Sequence, residues 1–330
     1  LLRAEAIVPG AGRDAIETLM SEADLVIGQV DVQEGRVVLE GTALCQAVYR
    51  QGDEASLRSL TAQAQLNHAF ELPGAASGMP CRVAGEVEHV EAKYENGHMV
   101  FLVSVGLKLQ VWKLTPAEIV TGVEGSPALE TESETVRSVR LAAESDVDTL
   151  LSETVALPAA LDAQTALMSW GTVVVEGVEP DLGGVRVRGK LNVEALVASG
   201  VAGRPVALIK VPLAFERLVE MPDWLVENVY ATARLQRLET RVETGEEDDE
   251  ADVDMRIEAE VNVSVKAVTA SEAAALTDAY ATRGPSVQIE MQEITPCVAI
   301  ERTQASEAFR GTLLLPENAP GAGTVLAVRV

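Results

Sequence analysis

The sequence predicts a mainly β protein, built from two tandem antiparallel β-sandwich or open-barrel modules with short linking helices. The first observation is an internal repeat: an apolar residue followed by proline opens similar stretches at Val8-Pro9, Leu157-Pro158 and Leu315-Pro316. The second is alternation of apolar and polar residues, which is typical of strands with one buried face. The third is composition, since 47% hydrophobic but only 3% aromatic residues favour valine-rich sheets.

The repeat divides the chain of 330 residues into five parts. We predict a first β module over residues 1–114 and a second over residues 150–270. Residues 115–149 are predicted as a linker, and residues 271–310 as a second linker with a short helix. Residues 311–330 are interpreted as the opening strands of a third unit or as an inter-subunit segment.

Each module opens with a short strand and a helix-like stretch, residues 13–20 in one copy and residues 159–168 in the other. Roughly six strands follow, because alternating stretches recur along the rest of each copy. The clearest alternation, in residues 185–197, matches residues 37–49 at an offset of 148. An apolar pair also recurs, as Leu19-Met20, Leu167-Met168 and Val325-Leu326.

The linkers contain the best helical candidates. Thr115-Pro116 is typical of a capping residue followed by proline at the first helical position. Residues 271–276 read Ser-Glu-Ala-Ala-Ala-Leu, which is a capping residue followed by strong helix formers. We therefore expect a short helix in each linker.

A hairpin tip separates the last two strands of each module. In the first copy it is Asn96-Gly97, a strong hairpin signal because both residues tolerate positive φ. The second copy carries a longer acidic run there, and carboxylate oxygens can bind Ca²⁺. The run lacks the spacing of a dedicated calcium loop, so a solvated tip is the favoured interpretation. The minor calcium candidates are Glu246, Glu247, Asp248, Asp249 and Glu250.

The net charge of −25 argues against nucleic acid and anionic membrane surfaces as partners. No apolar run is long enough to span a bilayer, so membrane insertion is not expected. No targeting signal is visible in the chain. Self-association must therefore be driven by something other than charge.

Three cysteines provide neither a disulfide framework nor metal-ligand spacing. Cys45 aligns with Val193 and is interpreted as a small buried hydrophobe. Cys81 lies near the start of a strand, so a Cys45–Cys81 bridge is one alternative. Cys297 is the candidate for an intermolecular thiol bond in an oxidising setting. Plain free thiols are favoured over both.

No arrangement of residues indicates catalysis or a cofactor. The three histidines do not recur between the copies, and only His89 falls on the inward phase of its strand. Gly183-Gly184 matches a hairpin turn and not a phosphate-binding loop. The tryptophans Trp112, Trp170 and Trp224 do not align with one another and are interpreted as strand-end or loop anchors. We predict that the protein is not an enzyme and needs no cofactor.

The predicted contact between subunits is the stretch from residue 311 onward or, alternatively, the opening segment from Leu1 to Pro9. A lone opening strand cannot bury its own apolar face, and an unpaired edge invites a strand from a neighbour. The predicted assembly residues are Gly311, Leu313, Leu315, Val325, Val328 and Val330.

Several motifs of the first copy resemble the SPOCS domain, a module of spore-coat morphogenesis proteins in endospore-forming bacteria. They are Glu40-Gly41-Thr42-Ala43-Leu44 with Val48-Tyr49-Arg50, then Phe70-Glu71-Leu72-Pro73-Gly74-Ala75 with Gly78-Met79, then residues 83–90. The second copy fits more loosely, with Val197 in place of the tyrosine. The resemblance implies a non-enzymatic module at the spore surface or in an extracellular assembly.

Two hypotheses follow from different classes of function. The first is a structural protein that self-assembles into a filament or coat layer through β-strand contacts, as a homo-oligomer or polymer with other spore-coat proteins as further partners. The alternative is a monomeric scaffold or binding module that recruits a coat protein or a glycan.

Overall fold

The structure is a computed structural model, and it describes residues 2–9, 16–51, 57–113, 118–123, 129–222, 228–244, 253–283, 290, 293 and 296. Within these ranges the chain forms twelve β-strands and one short 3-10 helix, Ala159–Leu161. The strands are β1 (Leu2–Pro9), β2 (Ile16–Gln33), β3 (Arg36–Gln51), β4 (Leu57–Glu71), β5 (Cys81–Glu95), β6 (His98–Val111), β7 (Leu129–Ala156), β8 (Ala163–Asp181), β9 (Gly184–Ser199), β10 (Val206–Glu220), β11 (Val229–Thr244) and β12 (Val253–Ala281).

Each module consists of two antiparallel three-stranded sheets packed against each other. In the first module, formed by β1 to β6, the strand orders are β1-β6-β5 and β2-β3-β4. In the second, formed by β7 to β12, they are β7-β12-β11 and β8-β9-β10. Every strand of the second module takes the place of its counterpart in the first. The predicted mainly β fold is confirmed.

Inward-facing apolar side chains of both sheets fill each module. Leu39 and Phe101 lie fully buried in the first core, and Leu191 and Ile257 lie fully buried in the second. A buried side chain of this size stabilises the fold by about 1.5–3 kcal/mol relative to an exposed one. Most core residues are aliphatic, as the composition predicts.

The hairpin turns lie where the sequence predicts them. Asn96 and Gly97 have φ of 51° and 84°, which is the type I′ geometry that the Asn-Gly pair favours. Gly183 has φ of 80° at the turn between β8 and β9. Its carbonyl accepts the N–H of Met221 at 3.3 Å, as the carbonyl of Gly35 accepts the N–H of Leu72 at 2.9 Å. The same contact therefore closes one end of both modules.

The predicted helices inside the chain are largely strands. The stretch 13–20 enters β2 at Ile16, and in the stretch 159–168 only Ala159–Leu161 is helical. Residues 271–276 belong to β12 and pair with β7 throughout. Backbone pairing along a partner strand outweighs helix propensity, which differs by less than about 1 kcal/mol per residue among these residue types. The candidate at Thr115-Pro116 lies outside the described residues.

The strands β7 and β12 continue beyond the second sandwich as a two-stranded ribbon. β7 begins at Leu129, inside the segment predicted as a linker, and β12 ends at Ala281. The ladder between β11 and β12 stops at Ala267, whereas β7 accompanies β12 to its last residue. Residues 129–141 of the first predicted linker and 271–281 of the second therefore lie in one antiparallel ribbon, because each segment supplies the backbone partner of the other.

Candidate assembly interfaces

The two modules meet through one contiguous apolar cluster on the outer faces of the sheets β2-β3-β4 and β8-β9-β10. Its buried members come from both modules, and its partly buried members come from the first. The cluster comprises Val48, Leu167, Met168, Trp170, Leu196, Ala198 and Val206, with Met20 and Leu57 at its margin. We call it the module contact.

The module contact uses equivalent residues of the two repeats. Met20 pairs with Val48 across β2 and β3, and Met168 pairs with Leu196 across β8 and β9. Each residue of the second pair lies 148 positions after its counterpart in the first. This explains the recurrent apolar pairs Leu19-Met20 and Leu167-Met168. The methionine of each pair lies on the outer face of its module and packs against the other module.

Hydrogen bonds surround the module contact. The Gln46 side chain donates to the Ser169 carbonyl at 2.9 Å and accepts the Ser169 N–H at 3.1 Å. Ser59 donates to the carbonyl of Ala166 at 3.2 Å. The indole N–H of Trp170 donates to the carboxylate of Glu22. Strand β8 therefore uses backbone groups of Ala166 and Ser169 to bind side chains of the first module.

Glu22 and Trp170 are themselves equivalent positions, separated by the repeat offset of 148. A contact between equivalent residues, flanked by equivalent apolar pairs, indicates that the same patch of each module faces the other. The hydrogen bonds are not reciprocal, however, because β8 binds side chains of β3 and β4, whereas the equivalent Ser21 of β2 binds the Val90 carbonyl of its own module.

The outer face of β9 shows why this contact was missed from the sequence. Its first part forms ion pairs with neighbouring strands, including Arg188 with Glu179 and Lys190 with Glu176. The outward residues Leu196 and Ala198 then interrupt the polar alternation. This interruption is the feature of the sequence from which an apolar contact on the outer face could have been predicted. The interpretation of Trp170 as a strand-end or loop anchor was wrong, because Trp170 lies within β8 and is almost fully buried.

A cleft of about 690 Å³ opens beside the module contact. Its floor includes Gln46 and Thr61 of the first module, and its far wall is β11 from Leu235 to Arg241. On that wall, Arg237 donates to Glu239, and this hydrogen bond holds the pKa of the Glu239 carboxyl below its usual range.

The outer edge of the ribbon is a second candidate interface. The N–H of Val268 donates to the carbonyl of Asn228 at 2.9 Å, and the N–H of Leu276 donates to the carbonyl of Val120 at 2.7 Å. Both N–H groups point away from β7. Successive residues of a strand point their backbone groups to opposite edges. The N–H and C=O groups of Ala270, Glu272 and Ala274 therefore also point away from β7.

Between those two bonds the edge has no strand beside it in the described part of the chain. No described backbone group bonds Ala270, Glu272 or Ala274 on this side. We call residues 269–275 the β12 notch. It lies between the hydrogen bonds to Asn228 at one end and to Val120 at the other.

The site residues predicted from the sequence lie outside the described residues. This applies to the assembly residues Gly311, Leu313, Leu315, Val325, Val328 and Val330, to Cys297, and to the acidic run from Glu246 to Glu250. These remain predictions. Elsewhere, no group of three or more His, Cys, Asp or Glu side chains among the described residues is arranged to hold a metal ion.

The other two cysteines are free thiols, so the alternative of a Cys45–Cys81 bridge is wrong. Cys45 is buried in the first core, as its alignment predicts, and burial raises the pKa of its thiol to about 11. His89 is exposed, contrary to the inward phase expected from the sequence. A β-bulge between Val87 and His89 shifts the alternation, so that Val90 faces the core instead.

The residues that carry the family resemblance have structural roles. Tyr49 is buried in the first core, and Phe70 packs against it while contacting His68 edge-to-face at 4.6 Å between ring centroids. Gly74 has φ of 93° in the loop after β4, where a residue with a side chain would be strained. The loop then returns to β3 through Ala75, whose carbonyl accepts the N–H of Gly35 at 3.0 Å.

Comparison with protein families identifies the same stretch. Residues 14–95 match the family model described as SipL, SPOCS domain. The resemblance stated from the sequence is confirmed for this region. No curated protein and no solved structure matches the chain. Among the described residues, no helix is long and apolar enough to cross a membrane.

Proposed function

We propose that this protein is a non-enzymatic structural component of a spore-associated or extracellular assembly, located at the spore surface. It self-assembles into a filament or coat layer through β-strand contacts, with other spore-coat proteins as further partners. The observation that carries the proposal is the SPOCS match over residues 14–95, within a chain of tandem β modules.

The module contact and the sheet edges have different roles in this proposal. It joins the two modules of one chain, and we assign polymerisation to other surfaces. Sheet edges are suited to that role, since backbone hydrogen bonds do not depend on side-chain charge. Contacts made by backbone hydrogen bonds suit a chain with a net charge of −25, because like-charged subunits repel one another.

Residues 311–330 are the proposed joining segment. Electron microscopy of the purified chain should show filaments or layers, and a variant lacking residues 311–330 should show dispersed particles. Unchanged polymers in the deletion variant contradict assembly through this segment. Circular dichroism provides the control, because both proteins should show the same β signal.

The cleft beside the module contact favours a second candidate function. A monomeric scaffold that recruits a coat protein or a glycan would use this cleft of about 690 Å³. Size measurement separates the two functions. A single 35 kDa species at high protein concentration supports the scaffold, and larger species support the structural assembly.

A further inference from the structure

We propose that a cavity between the two modules binds an extended, acidic peptide segment of a partner protein. The cavity has a volume of about 410 Å³ and is lined by residues 25–27 of β2, 82–85 of β5 and 234–236 of β11. We call it the inter-module cavity. The proposal gives a site and a chemical class to one partner, and it does not depend on the joining segment 311–330.

The whole lining of the inter-module cavity belongs to the described part of the chain. The undescribed residue nearest to it in sequence is residue 227, which lies seven positions before Arg234. The cavity adjoins the cleft of about 690 Å³ beside the module contact, because Leu25 and Leu235 line both. A ligand of several residues can therefore extend from the cavity into the cleft.

The charge of the cavity lining is opposite to that of the chain. Arg82 of the first module and Arg234 of the second line the cavity, and no acidic residue does. The chain as a whole has 51 acidic and 26 basic residues, so this lining is not what composition alone would give. Neither guanidinium group forms a hydrogen bond or an ion pair within the chain. Two unpaired arginines beside one cavity favour an anionic ligand.

Strand β5 presents backbone groups along the cavity. The N–H of Trp112 donates to the carbonyl of Pro80 at 3.0 Å, so the even-numbered residues in the first part of β5 bond β6. The N–H and C=O groups of Val83 and Gly85 consequently point to the other edge of β5. No strand of the sheet pairs with β5 at that edge among the described residues. Val83 and Gly85 can therefore pair with an added backbone.

Strand β11 presents backbone groups from the second module. The N–H of Val268 donates to the carbonyl of Asn228 at 2.9 Å, so the even-numbered residues of β11 that precede its bulge bond β12. The N–H and C=O groups of Leu235 then point away from β12, at the edge of that sheet. Alternating donors and acceptors at strand edges match an extended polypeptide, which adds to an edge through main-chain hydrogen bonds. Acidic side chains of the same peptide would bind Arg82 and Arg234.

A peptide-binding measurement tests the site. The probe is a fluorescein-labelled peptide of alternating Glu and Val residues, and its anisotropy should rise when the full chain is added. Arg82→Gln and Arg234→Gln should each raise Kd by about threefold, and by about tenfold together, as for the loss of exposed ion pairs. Arg204→Gln is the matched control, because Arg204 is exposed in the β9–β10 loop and does not line the cavity. A peptide with Lys in place of Glu should not bind.

Hydrogen exchange separates strand pairing from a purely ionic contact. In the complex with the acidic peptide, the amides of Val83, Gly85 and Leu235 should exchange more slowly. The amide of Ala84 should not change, because it already bonds β6. Polygalacturonate, an anionic polysaccharide, is the second probe. Its binding in an Arg82-dependent manner, without binding of the peptide, overturns the assignment to a peptide.

Two further results would overturn the proposal. They are failure of the acidic peptide to bind, and equal binding by the parent and the double arginine variant. Either result leaves the proposed function intact, because polymer formation through residues 311–330 is measured separately by electron microscopy. Both arginines are exposed and unpaired, so the variants should unfold at the temperature of the parent, and their loss of binding then reflects the site and not the fold.

Discussion

Trp170 of the second module donates its indole N–H to Glu22, which occupies the equivalent position of the first module. A duplicated unit normally preserves the polarity of a position, yet here one copy carries an aromatic donor and the other a carboxylate acceptor. The difference is understandable because the two side chains meet. Two identical carboxylates at this contact would repel, whereas a donor and an acceptor bind.

Replacing Trp170 with Phe should weaken the module contact. The change keeps most of the apolar ring but removes the N–H that Glu22 accepts. A hydrogen bond to a charged group contributes about 1.5–3 kcal/mol. Urea unfolding should show a destabilisation of that order, and Glu22→Gln added to Trp170→Phe should cost less than it does alone. Trp112→Phe, outside the module contact, is the control, and strict additivity would contradict the pairing.

Placing a charge at Val48 should separate the modules while leaving each one folded. Val48 lies on the outer face of β3, in the module contact and away from the first core. Val48→Glu would bury a charge against Leu196, which costs several kcal/mol. Small-angle scattering should show a larger radius of gyration with an unchanged circular dichroism spectrum. Thr42→Glu, on the same face of β3 but outside the module contact, should leave the radius unchanged.

Alanine at Gly189 should destabilise the fold more than alanine at the equivalent Gly41. A Cβ at position 189 would lie 2.6 Å from the carbonyl oxygen of Val174, whereas a Cβ at position 41 would lie 3.0 Å from that of Val26. At Gly189 the added Cβ would also lie 2.4 Å from Cζ of the buried Phe215 ring, and the two carbonyl oxygens are backbone atoms that cannot move aside easily. We expect a cost of about 1–3 kcal/mol at Gly189, as for overpacked cores. Equal unfolding midpoints for the two variants would contradict this ranking.

The thiol of Cys45 should react more slowly than that of Cys81. Burial raises the pKa of Cys45 to about 11, and the thiolate is the reactive form. Cys81 is only partly buried. Mass mapping after brief alkylation at pH 8 should show Cys81 modified and Cys45 intact, and denaturant should make both react. Rapid labelling of Cys45 in the folded protein would show that the first core opens.

Acid should remove the contribution of Glu239 to stability. Its hydrogen bond with Arg237 lowers the pKa of the carboxyl in the folded state. The contribution is therefore complete above the usual glutamate pKa of about 4.3 and decreases as the pH falls through the lower folded value. Glu239→Gln should cost no more than about 1 kcal/mol at pH 7, since the pair is partly exposed. The difference between variant and parent should shrink at pH 3, and a constant difference would exclude this origin.

The strands and turns could be predicted from the sequence repeat. The features that depend on contacts between distant segments could not. Alternation located β9, and the Asn-Gly pair located the β5–β6 turn, because both signals are local. The extended ribbon was missed since its Ala-rich segment favours a helix on its own, and only β7 holds it extended. The module contact was missed for a related reason. The position of the second module decides which outer face is covered. The sequence of a single strand does not contain that information.

The match between Met20-Val48 and Met168-Leu196 has a consequence for how many modules such a chain can hold. Each module carries one copy of this patch, and two copies satisfy each other. A module without such a neighbour would keep its apolar patch in contact with water. A module added to this pair would therefore need either a companion or an altered outer face, and the residues at its positions equivalent to Met20 and Val48 would show which.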